Sequence, residues 1–366
     1  MDKLIQSANI TIRANRPPDL SDQCITVFQQ GNFLQLTVQT KGCQFSANGS
    51  CSMCNYGCGQ EPDTDKLLKE LSCILEQAGT KNVQTILLGA SGSFLDPQEI
   101  PEKTQDAVLK AVFQSGIPQI IIETHYSSAS DAALRRVSSL LPKRRIELEI
   151  GLESANQWIR EYILNKNIDP FGFETLIARA HHFQMTVTAN LLLGVPFLSE
   201  AAQISETLDS IRWLLSKKID YIMIFPLNIH PYTLFQWLHQ KGIVQPPSLW
   251  MAVSLLSKLD DHELNHVSMA WYGNRSIDYG KAEFSVPPQA CGACRDVLLT
   301  FFEEFYANRD LSHRKAQIEK ILRVPLACSC REKVLKAVSL NPCFLEAEYL
   351  TARDMMKGLI GIHERT

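Results

Sequence analysis

The feature that most constrains the fold of this chain is a regular alternation of short apolar segments with longer segments of helical periodicity. The apolar segments lie at residues 32–38, 85–89, 119–124, 146–151, 186–193 and 221–225, and helical segments separate them, at residues 63–77, 102–114, 129–141, 157–183 and 201–215. Most of the apolar segments are continuous, which is typical of strands buried on both faces of a parallel sheet. The sequence therefore predicts an α/β fold with helices covering a parallel sheet, arranged either as a partial barrel or as a doubly wound sheet.

A group of cysteines follows the first predicted strand. Cys43, Cys51 and Cys54 lie in a loop rich in glycine, serine and asparagine, and Cys58 comes four residues later. Functional sites of parallel α/β folds lie at the carboxyl ends of the strands, so this loop is a candidate site. Three thiolates can hold a four-iron cluster and leave one iron open, whereas four thiolates suit a closed zinc site. The spacing leaves both metals open, and the position of the loop favours the iron–sulfur cluster.

The cluster loop resembles a known family in its order of residues. It begins Gly42-Cys43 and ends with the stretch CSMCNYG over residues 51–57. In this form it is similar to the cluster loop of radical S-adenosylmethionine (SAM) enzymes. The seven residues between its first two cysteines exceed the commoner three. The longer gap resembles the branch that contains the elongator-complex acetyltransferase subunit and the radical subunit of archaeosine synthase.

Further motifs keep the order of that family over residues 30–240. They are SGSFLD at residues 91–96, ETH at 123–125, GLES at 151–154, ILNK at 163–166 and LGVPF at 193–197. The resemblance implies cofactor-binding roles for Ser91, Gly92, Ser93, Glu123 and Glu153, and Asn190 is a further candidate because an amide inside an apolar strand needs partners. Taken alone, Gly92 favours a simple turn over a cofactor contact, and Glu153 favours a solvated carboxylate at a helix start. Asn190 either faces the lumen and contacts the cofactor or is a core amide bonded to the backbone.

The resemblance implies a fold and an activity. The fold is a partial (β/α)6 TIM-like barrel, which is the radical SAM core. Cys43, Cys51 and Cys54 would hold a 4Fe-4S cluster whose open iron binds SAM, and the enzyme would cleave SAM reductively and abstract a hydrogen atom from its substrate. A fourth thiolate would block the cofactor, so Cys58 is expected to lie outside the cluster.

The substrate and the electron donor follow less directly from the resemblance. A flavodoxin-like or ferredoxin-like protein would supply the electron, and the substrate would be a tRNA base, as in archaeosine formation. A small molecule or a peptide is the alternative substrate. The formal net charge of −3 and the lack of a recognisable RNA-binding signature do not add support for tRNA.

A second cysteine group lies near the carboxyl terminus. Cys291 and Cys294 form one pair, and Cys328 and Cys330 form another, with helical sequence between them. Two such pairs are typical of a four-thiolate zinc site, and an auxiliary iron–sulfur cluster or no metal are the alternatives. If both cysteine groups were structural, the chain would be a zinc-binding scaffold rather than an enzyme, but that reading leaves the motifs at the strand ends unexplained.

Length and composition set the remaining expectations. The 366 residues include 45% hydrophobic and 20% charged residues, as in ordinary globular proteins. We expect an irregular lead-in over residues 1–30, a radical SAM core over 31–245 and a small cysteine-containing domain over 246–366. No apolar run reaches the roughly eighteen residues that a membrane span needs, and the amino terminus lacks the apolar region of a secretory signal. The sequence thus predicts a cytoplasmic protein without a membrane partner.

Overall fold

The computed structural model describes residues 1–17, 22–56, 59–80, 82–270 and 285–362. Within these residues, eight strands form one sheet whose order in space follows their order in the chain. They are β1 (Ile25–Gln30), β2 (Phe33–Val38), β3 (Thr85–Ala90), β4 (Gln119–Glu123), β5 (Arg145–Glu153), β6 (Thr186–Leu193), β7 (Tyr221–Pro226) and β8 (Val267–Met269). β1 pairs with β2 in antiparallel orientation, and every later neighbour is parallel. The six predicted strands are β2 to β7.

Helices connect the parallel strands, as the periodicity predicts. The helices of the described residues are α1 (Lys3–Arg13), α2 (Gln44–Ala47), α3 (Thr64–Thr80), α4 (Glu102–Gln114), α5 (Asp131–Leu140), α6 (Gln157–Tyr162), α7 (Pro170–His182), α8 (Glu200–Ser216), α9 (Leu234–Gln240), α10 (Leu249–Leu256), α11 (Asp261–His266), α12 (Arg295–Ala307), α13 (Leu311–Arg323), α14 (Cys330–Ala337) and α15 (Glu346–Leu359). Many begin at an oxygen-bearing cap, because free N–H groups of the first turn need acceptors. For example, the Ser130 hydroxyl accepts from the Ala133 N–H at the start of α5.

The sheet is curled into a partial barrel. In β4, Ile120 and Ile122 are fully buried under the helices, while Gln119, Ile121 and Glu123 face the opposite side. Side chains on that side, from all eight strands, line one cavity of about 1570 Å³. A doubly wound sheet would have helices on both faces, whereas here the second face encloses a lumen. The predicted partial (β/α)6 TIM-like barrel is confirmed, with β1 and β8 added at its edges.

The first thirty residues differ from the predicted irregular lead-in. They contain the helix α1 and the strand β1. α1 lacks a strong sequence signal because it carries Ile10, Thr11 and Ile12, and β-branched residues have modest helix propensity. Its stability comes from tertiary contacts: the Asp2 side chain caps it, and Ile5 is buried in a cluster with residues of α6, α9 and α15.

The chain after residue 246 packs against the barrel. β8 lies in a segment where the sequence indicates only irregular structure, and three residues are too few to give a periodic signal. Behind it, α12 packs on β8 and α14 packs on α10. Arg314 of α13 is buried and donates to the carbonyl of Val267 in β8 at 2.8 Å. In the part of the chain described here, no helix combines the length and the apolar character needed to cross a membrane.

Candidate functional site

The cluster loop leaves β2 at the carboxyl end of the barrel and lines the lumen. Cys43 is the N-cap of the short helix α2, and Gly42 before it has a φ of 103°, which favours glycine. Cys51 has a φ of 60°, an uncommon conformation for a residue with a side chain. Cys43, Cys51 and Cys54 all border the lumen cavity. The backbone of the loop thus brings three thiols to one wall of one cavity.

Arg13 of α1 supports the backbone of this loop. Its guanidinium donates to the carbonyls of Ser46 at 2.6 Å, Cys51 at 2.7 Å and Cys54 at 3.0 Å. Burial lowers the pKa of Arg13, and the three nearby thiol groups oppose that shift. Since an arginine retains its charge in proteins, a positive group lies directly behind the three cysteines.

The ILNK motif supports the same loop from the other side. The Leu164 carbonyl accepts from the N–H of Ser52 at 2.8 Å, and the Asn165 carbonyl accepts from the N–H of Cys51 at 3.1 Å. The Asn165 amide also donates to the Gly49 carbonyl at 3.0 Å and accepts from the N–H of Asp2 at 3.0 Å. These bonds give the motif a physical role, which is to fix the conformation of the cluster loop.

The charges around the three thiols suit a bound metal cluster. Burial raises the pKa of Cys43 and of Cys51 to about 11, and that of Cys54 to about 12. Buried thiols of this kind stay protonated unless a metal replaces the proton. Arg13 and Lys166 both interact favourably with the negative form of Cys51 and Cys54. The donor set of three soft sulfur atoms beside two cations fits an iron–sulfur cluster.

The spacing of the three thiols differs from that of a single-ion site. Among the described residues, four cysteines elsewhere in the chain form a group whose sulfur atoms all lie within 4.8 Å of one another. The thiols of the cluster loop do not form such a close group. One zinc ion needs its sulfur ligands within about 4.6 Å of one another, twice the Zn–S bond length. A cluster carries each thiolate on a different iron and so suits a wider arrangement.

Ser91, Gly92 and Ser93 follow β3 and line the cavity beside the cluster loop. A Cβ atom on Gly92 would lie 2.2 Å from Oε2 of Glu99, so a larger residue would force the segment or the buried Glu99 carboxylate to move. Glu99 is buried and accepts from the N–H of Ser93 at 3.0 Å, and its Oε1 has no hydrogen-bond partner among the described residues. Burial raises the pKa of Glu99 to about 7. The carboxylate is therefore part of the support for the glycine-containing segment.

Glu123, Glu153 and Asn190 also line the cavity, from β4, β5 and β6. Glu153 has a φ of 70° at a bulge in β5, and its carboxylate pairs with Lys166 at 2.8 Å. It is thus a partly buried ion pair rather than a solvated carboxylate. The Asn190 amide donates to Glu149 at 3.0 Å, while its Oδ1 is buried and has no partner in the described residues. An unpaired buried acceptor at a cavity wall is a candidate contact for a ligand.

His125 lies at the cavity wall between β4 and the cluster loop. Its ring packs on Phe45 of α2, with the ring centroids 4.1 Å apart, and its Nδ1 lies 2.7 Å from the Ser127 hydroxyl. Burial, together with the charge of Lys166, lowers the pKa of His125 to about 3. The imidazole is neutral over the physiological range and packs α2 against the barrel.

Sequence reasoning missed two residues of this site. Glu99 lies seven residues beyond the glycine that it supports, in a stretch of ordinary loop composition. Arg13 lies in a helix that the sequence does not reveal. The signal for Lys166 was present in the ILNK motif, but its pairing with Glu153 needs the three-dimensional structure. The prediction for Cys58 lies outside the described residues.

The second cysteine group forms a compact cluster of its own. The sulfur atoms of Cys291, Cys294, Cys328 and Cys330 all lie within 4.8 Å of one another, and those of Cys291 and Cys294 are 3.5 Å apart. Cys294 is fully buried, and the other three are partly buried against the same hydrophobic core. The structure thus brings together two pairs that are separated by more than thirty residues in the sequence.

Comparison with known proteins relates the chain to named enzymes. No protein-family model matches it. Two proteins named archaeosine synthase subunit beta are similar to it. That of Methanosarcina acetivorans is 29% identical, over 62% of this chain and 66% of its own length. That of Thermococcus kodakarensis is 27% identical, over 62% of this chain and 71% of its own length. A mitochondrial radical SAM domain-containing protein of Bos taurus is 22% identical over 56% of this chain and 46% of its own length. The matches thus span about two thirds of the archaeal relatives and less than half of the bovine one.

Three features point to the same class of protein: the named relatives, the order of the motifs and the curled sheet. The relatives match by sequence, whereas the barrel and the three thiols at its carboxyl end are features of the structure. By its sequence relatives, its motif order and its curled sheet, the chain resembles radical SAM enzymes, in the branch similar to the beta subunit of archaeosine synthase.

Proposed function

We propose that Cys43, Cys51 and Cys54 bind a 4Fe-4S cluster and that the adjoining lumen binds SAM. The observation that carries this proposal is the meeting, in one cavity, of three partly buried thiols with all six predicted cofactor-binding residues. When bound, the cluster supplies the electron that cleaves SAM reductively, and the resulting radical abstracts a hydrogen atom from the substrate. A flavodoxin-like or ferredoxin-like protein delivers that electron.

The protein's own residues position the cofactor and keep its charges balanced. Arg13 and Lys166 offset the negative charge of three thiolates. Ser91, Gly92 and Ser93 line the cavity, and the missing Cβ atom of Gly92 lets this segment pack closely on the Glu99 carboxylate. Asn190 offers an unpaired acceptor on the opposite wall. Polar groups of this kind orient a ligand.

The proposed substrate is a tRNA base, in a reaction similar to archaeosine formation. The names of the two archaeal relatives support this substrate class. The lumen, at about 1570 Å³, is larger than typical small-ligand pockets of roughly 300–1,000 Å³ and has room for a nucleoside beside SAM. An enzyme that acts on a base takes it out of the stack into such a pocket. We place this activity in the cytoplasm.

The activity is tested by anaerobic turnover of the full-length protein with SAM and reduced flavodoxin. We expect 5′-deoxyadenosine to accumulate, and we expect the Cys54→Ala variant to form none above background. Cys73 is exposed and isolated from both cysteine groups, so Cys73→Ala is the matched control and should retain wild-type cleavage. Cleavage by Cys54→Ala at the wild-type rate would show that the triad does not hold the cluster.

The substrate is tested separately with tRNA from a strain that lacks the gene. We expect this tRNA to stimulate deoxyadenosine formation and to change the mass of one nucleoside, whereas tRNA from the complemented strain should do neither. Cleavage of SAM without any response to tRNA would contradict the tRNA substrate and favour a small molecule or a peptide. In that outcome the assignment of the cluster would stand.

A further inference from the structure

The four carboxyl-terminal cysteines meet from two separate segments. Cys291 and Cys294 lie in the turn before α12, with Cys294 as the N-cap of that helix. Cys328 lies in the turn before α14, and Cys330 is the first residue of α14. Both turns present their sulfur atoms to a common point, since all four atoms lie within 4.8 Å of one another.

The spacing of the sulfur atoms matches one tetrahedral ion. Four sulfur ligands at the usual Zn–S bond length of about 2.3 Å form a tetrahedron with edges of about 3.8 Å. The Cys291 and Cys294 sulfur atoms are 3.5 Å apart, too far for a disulfide bond of about 2.05 Å and close to that edge. An iron–sulfur cubane would carry each sulfur on a different iron and spread the four atoms more widely.

The surroundings contain a buried hydrogen-bond donor that faces only a thiol. Trp250 of α10 is 1% exposed, and its indole N–H makes no well-formed hydrogen bond among the described residues, although it is close enough to the Cys294 thiol to favour the thiolate. The indole lies next to the thiol of Cys294, which is itself fully buried. A neutral thiol is a weak acceptor, whereas a metal-bound thiolate carries negative charge and accepts readily. A metal ion at the four cysteines would therefore also satisfy the buried indole donor.

We infer that Cys291, Cys294, Cys328 and Cys330 bind one zinc ion in a closed four-thiolate site, with Trp250 as the donor to the bound Cys294 sulfur. Four protein ligands leave no open position, so the ion has a structural role. It joins the start of α12, which packs on β8, to the start of α14, which packs on α10. The site thereby holds the carboxyl-terminal helices against the barrel, and it is independent of the proposed radical chemistry.

The inference is tested on the full-length protein, purified anaerobically without added metal. We expect elemental analysis to find about one zinc per chain, and X-ray absorption at the zinc edge to show sulfur neighbours only, at about 2.3 Å. This measurement needs no substitution, so a variant that fails to fold cannot obscure the result. Nitrogen or oxygen neighbours, or an absence of zinc, would overturn the inference.

Paired variants then assign the ion to these residues. Cys291→Ser together with Cys328→Ser should remove the zinc and lower Tm by about 5–10 °C, because two ligands and the join between α12 and α14 are lost. Cys73→Ser together with Cys343→Ser removes two exposed thiols and should change neither zinc nor Tm. Replacing Cys43, Cys51 and Cys54 by alanine should remove iron and leave the zinc in place. Iron that disappears with the carboxyl-terminal pair would identify an auxiliary iron site and refute the zinc assignment.

Discussion

The two cysteine groups of this chain are built from different kinds of backbone, and the difference indicates what each can bind. The first group lies on a loop with positive φ at Gly42 and Cys51, and its thiols face a large lumen. The second group lies at the starts of two helices, and its four sulfur atoms meet in one compact cluster. An open loop beside a cavity leaves room for a cofactor and a substrate. Four sulfur atoms at the starts of two helices, close to one another, leave room for a single ion.

The support of the two groups differs in the same way. Polar contacts hold the loop of the first group while its thiols remain at the cavity. These contacts come from Arg13, Lys166 and the carbonyls of Leu164 and Asn165. The second group rests on Trp250 and the hydrophobic core. Substitutions in these supports should consequently affect the chemistry in the first case and the stability in the second.

The largest effect is expected from Gly92→Ala. The new Cβ would lie 2.2 Å from a carboxylate oxygen of buried Glu99, so either the glycine-containing segment or that carboxylate must move. Because misplacement of a positioning segment by about 1 Å costs orders of magnitude in rate, kcat/KM for SAM cleavage should fall roughly 100-fold. Gly358→Ala, in a helix with no atom within 4 Å of the added Cβ, is the control and should keep full activity. Wild-type kinetics in Gly92→Ala would show that this segment does not contact the cofactor.

A smaller effect is expected from Arg13→Met, which removes three hydrogen bonds to the carbonyls of the cluster loop. Hydrogen bonds from a charged group contribute about 1.5–3 kcal/mol, so the loop should open more often and lose iron to a chelator roughly 30-fold faster. The zinc content should stay constant, because Arg13 is remote from the second group. The exposed Arg323→Met is the matched control. Equal loss of iron and zinc would contradict the separation of the two groups.

Trp250→Phe tests the second group. The phenyl ring fills most of the indole volume but removes the N–H beside Cys294, and loss of such an outer partner costs roughly 10-fold or more in metal affinity. Competition with a zinc chelator measures this change, and SAM cleavage should be unaffected. A variant that binds zinc as tightly as the wild type would show that the indole does not donate to the site.

The smallest effect is expected from Asn190→Leu. The substitution removes the unpaired Oδ1 at the lumen wall and the amide bond to Glu149. The loss of one hydrogen bond to a ligand, about 1 kcal/mol, should raise KM for SAM roughly 5-fold. Thr188→Val, on the same strand as Asn190, is the control, because the Thr188 hydroxyl already bonds to Glu147 of the neighbouring strand β5. An unchanged KM in Asn190→Leu would place the cofactor elsewhere in the lumen.

The sequence was a good guide wherever a local pattern determines the structure. The parallel strands are continuous apolar segments, and the 186–193 segment matches β6 residue for residue. β8 and α1 were missed because their stability depends on partners distant in the sequence, such as the bond from Arg13 to Cys51. β1 was missed although it pairs with β2 across a two-residue turn, Gly31-Asn32, which is itself a hairpin signal. Glu99 was missed although it is only seven residues from Gly92, because its loop carries no periodic pattern that would indicate that its carboxylate contacts the glycine. The domain boundary at 245/246 stays a prediction, and α12 and α14 share the hydrophobic core of the barrel.

Electron paramagnetic resonance of the reduced protein tests the central claim most directly, because it detects the cluster and its response to SAM together. We expect about four iron atoms per chain and a spectrum that shifts when SAM is added. Both should persist when Cys291 and Cys328 are replaced by serine, and both should vanish in Cys54→Ala. A spectrum that ignores SAM, or iron that is lost with the carboxyl-terminal cysteines instead, would contradict the assignment of the catalytic cluster to Cys43, Cys51 and Cys54.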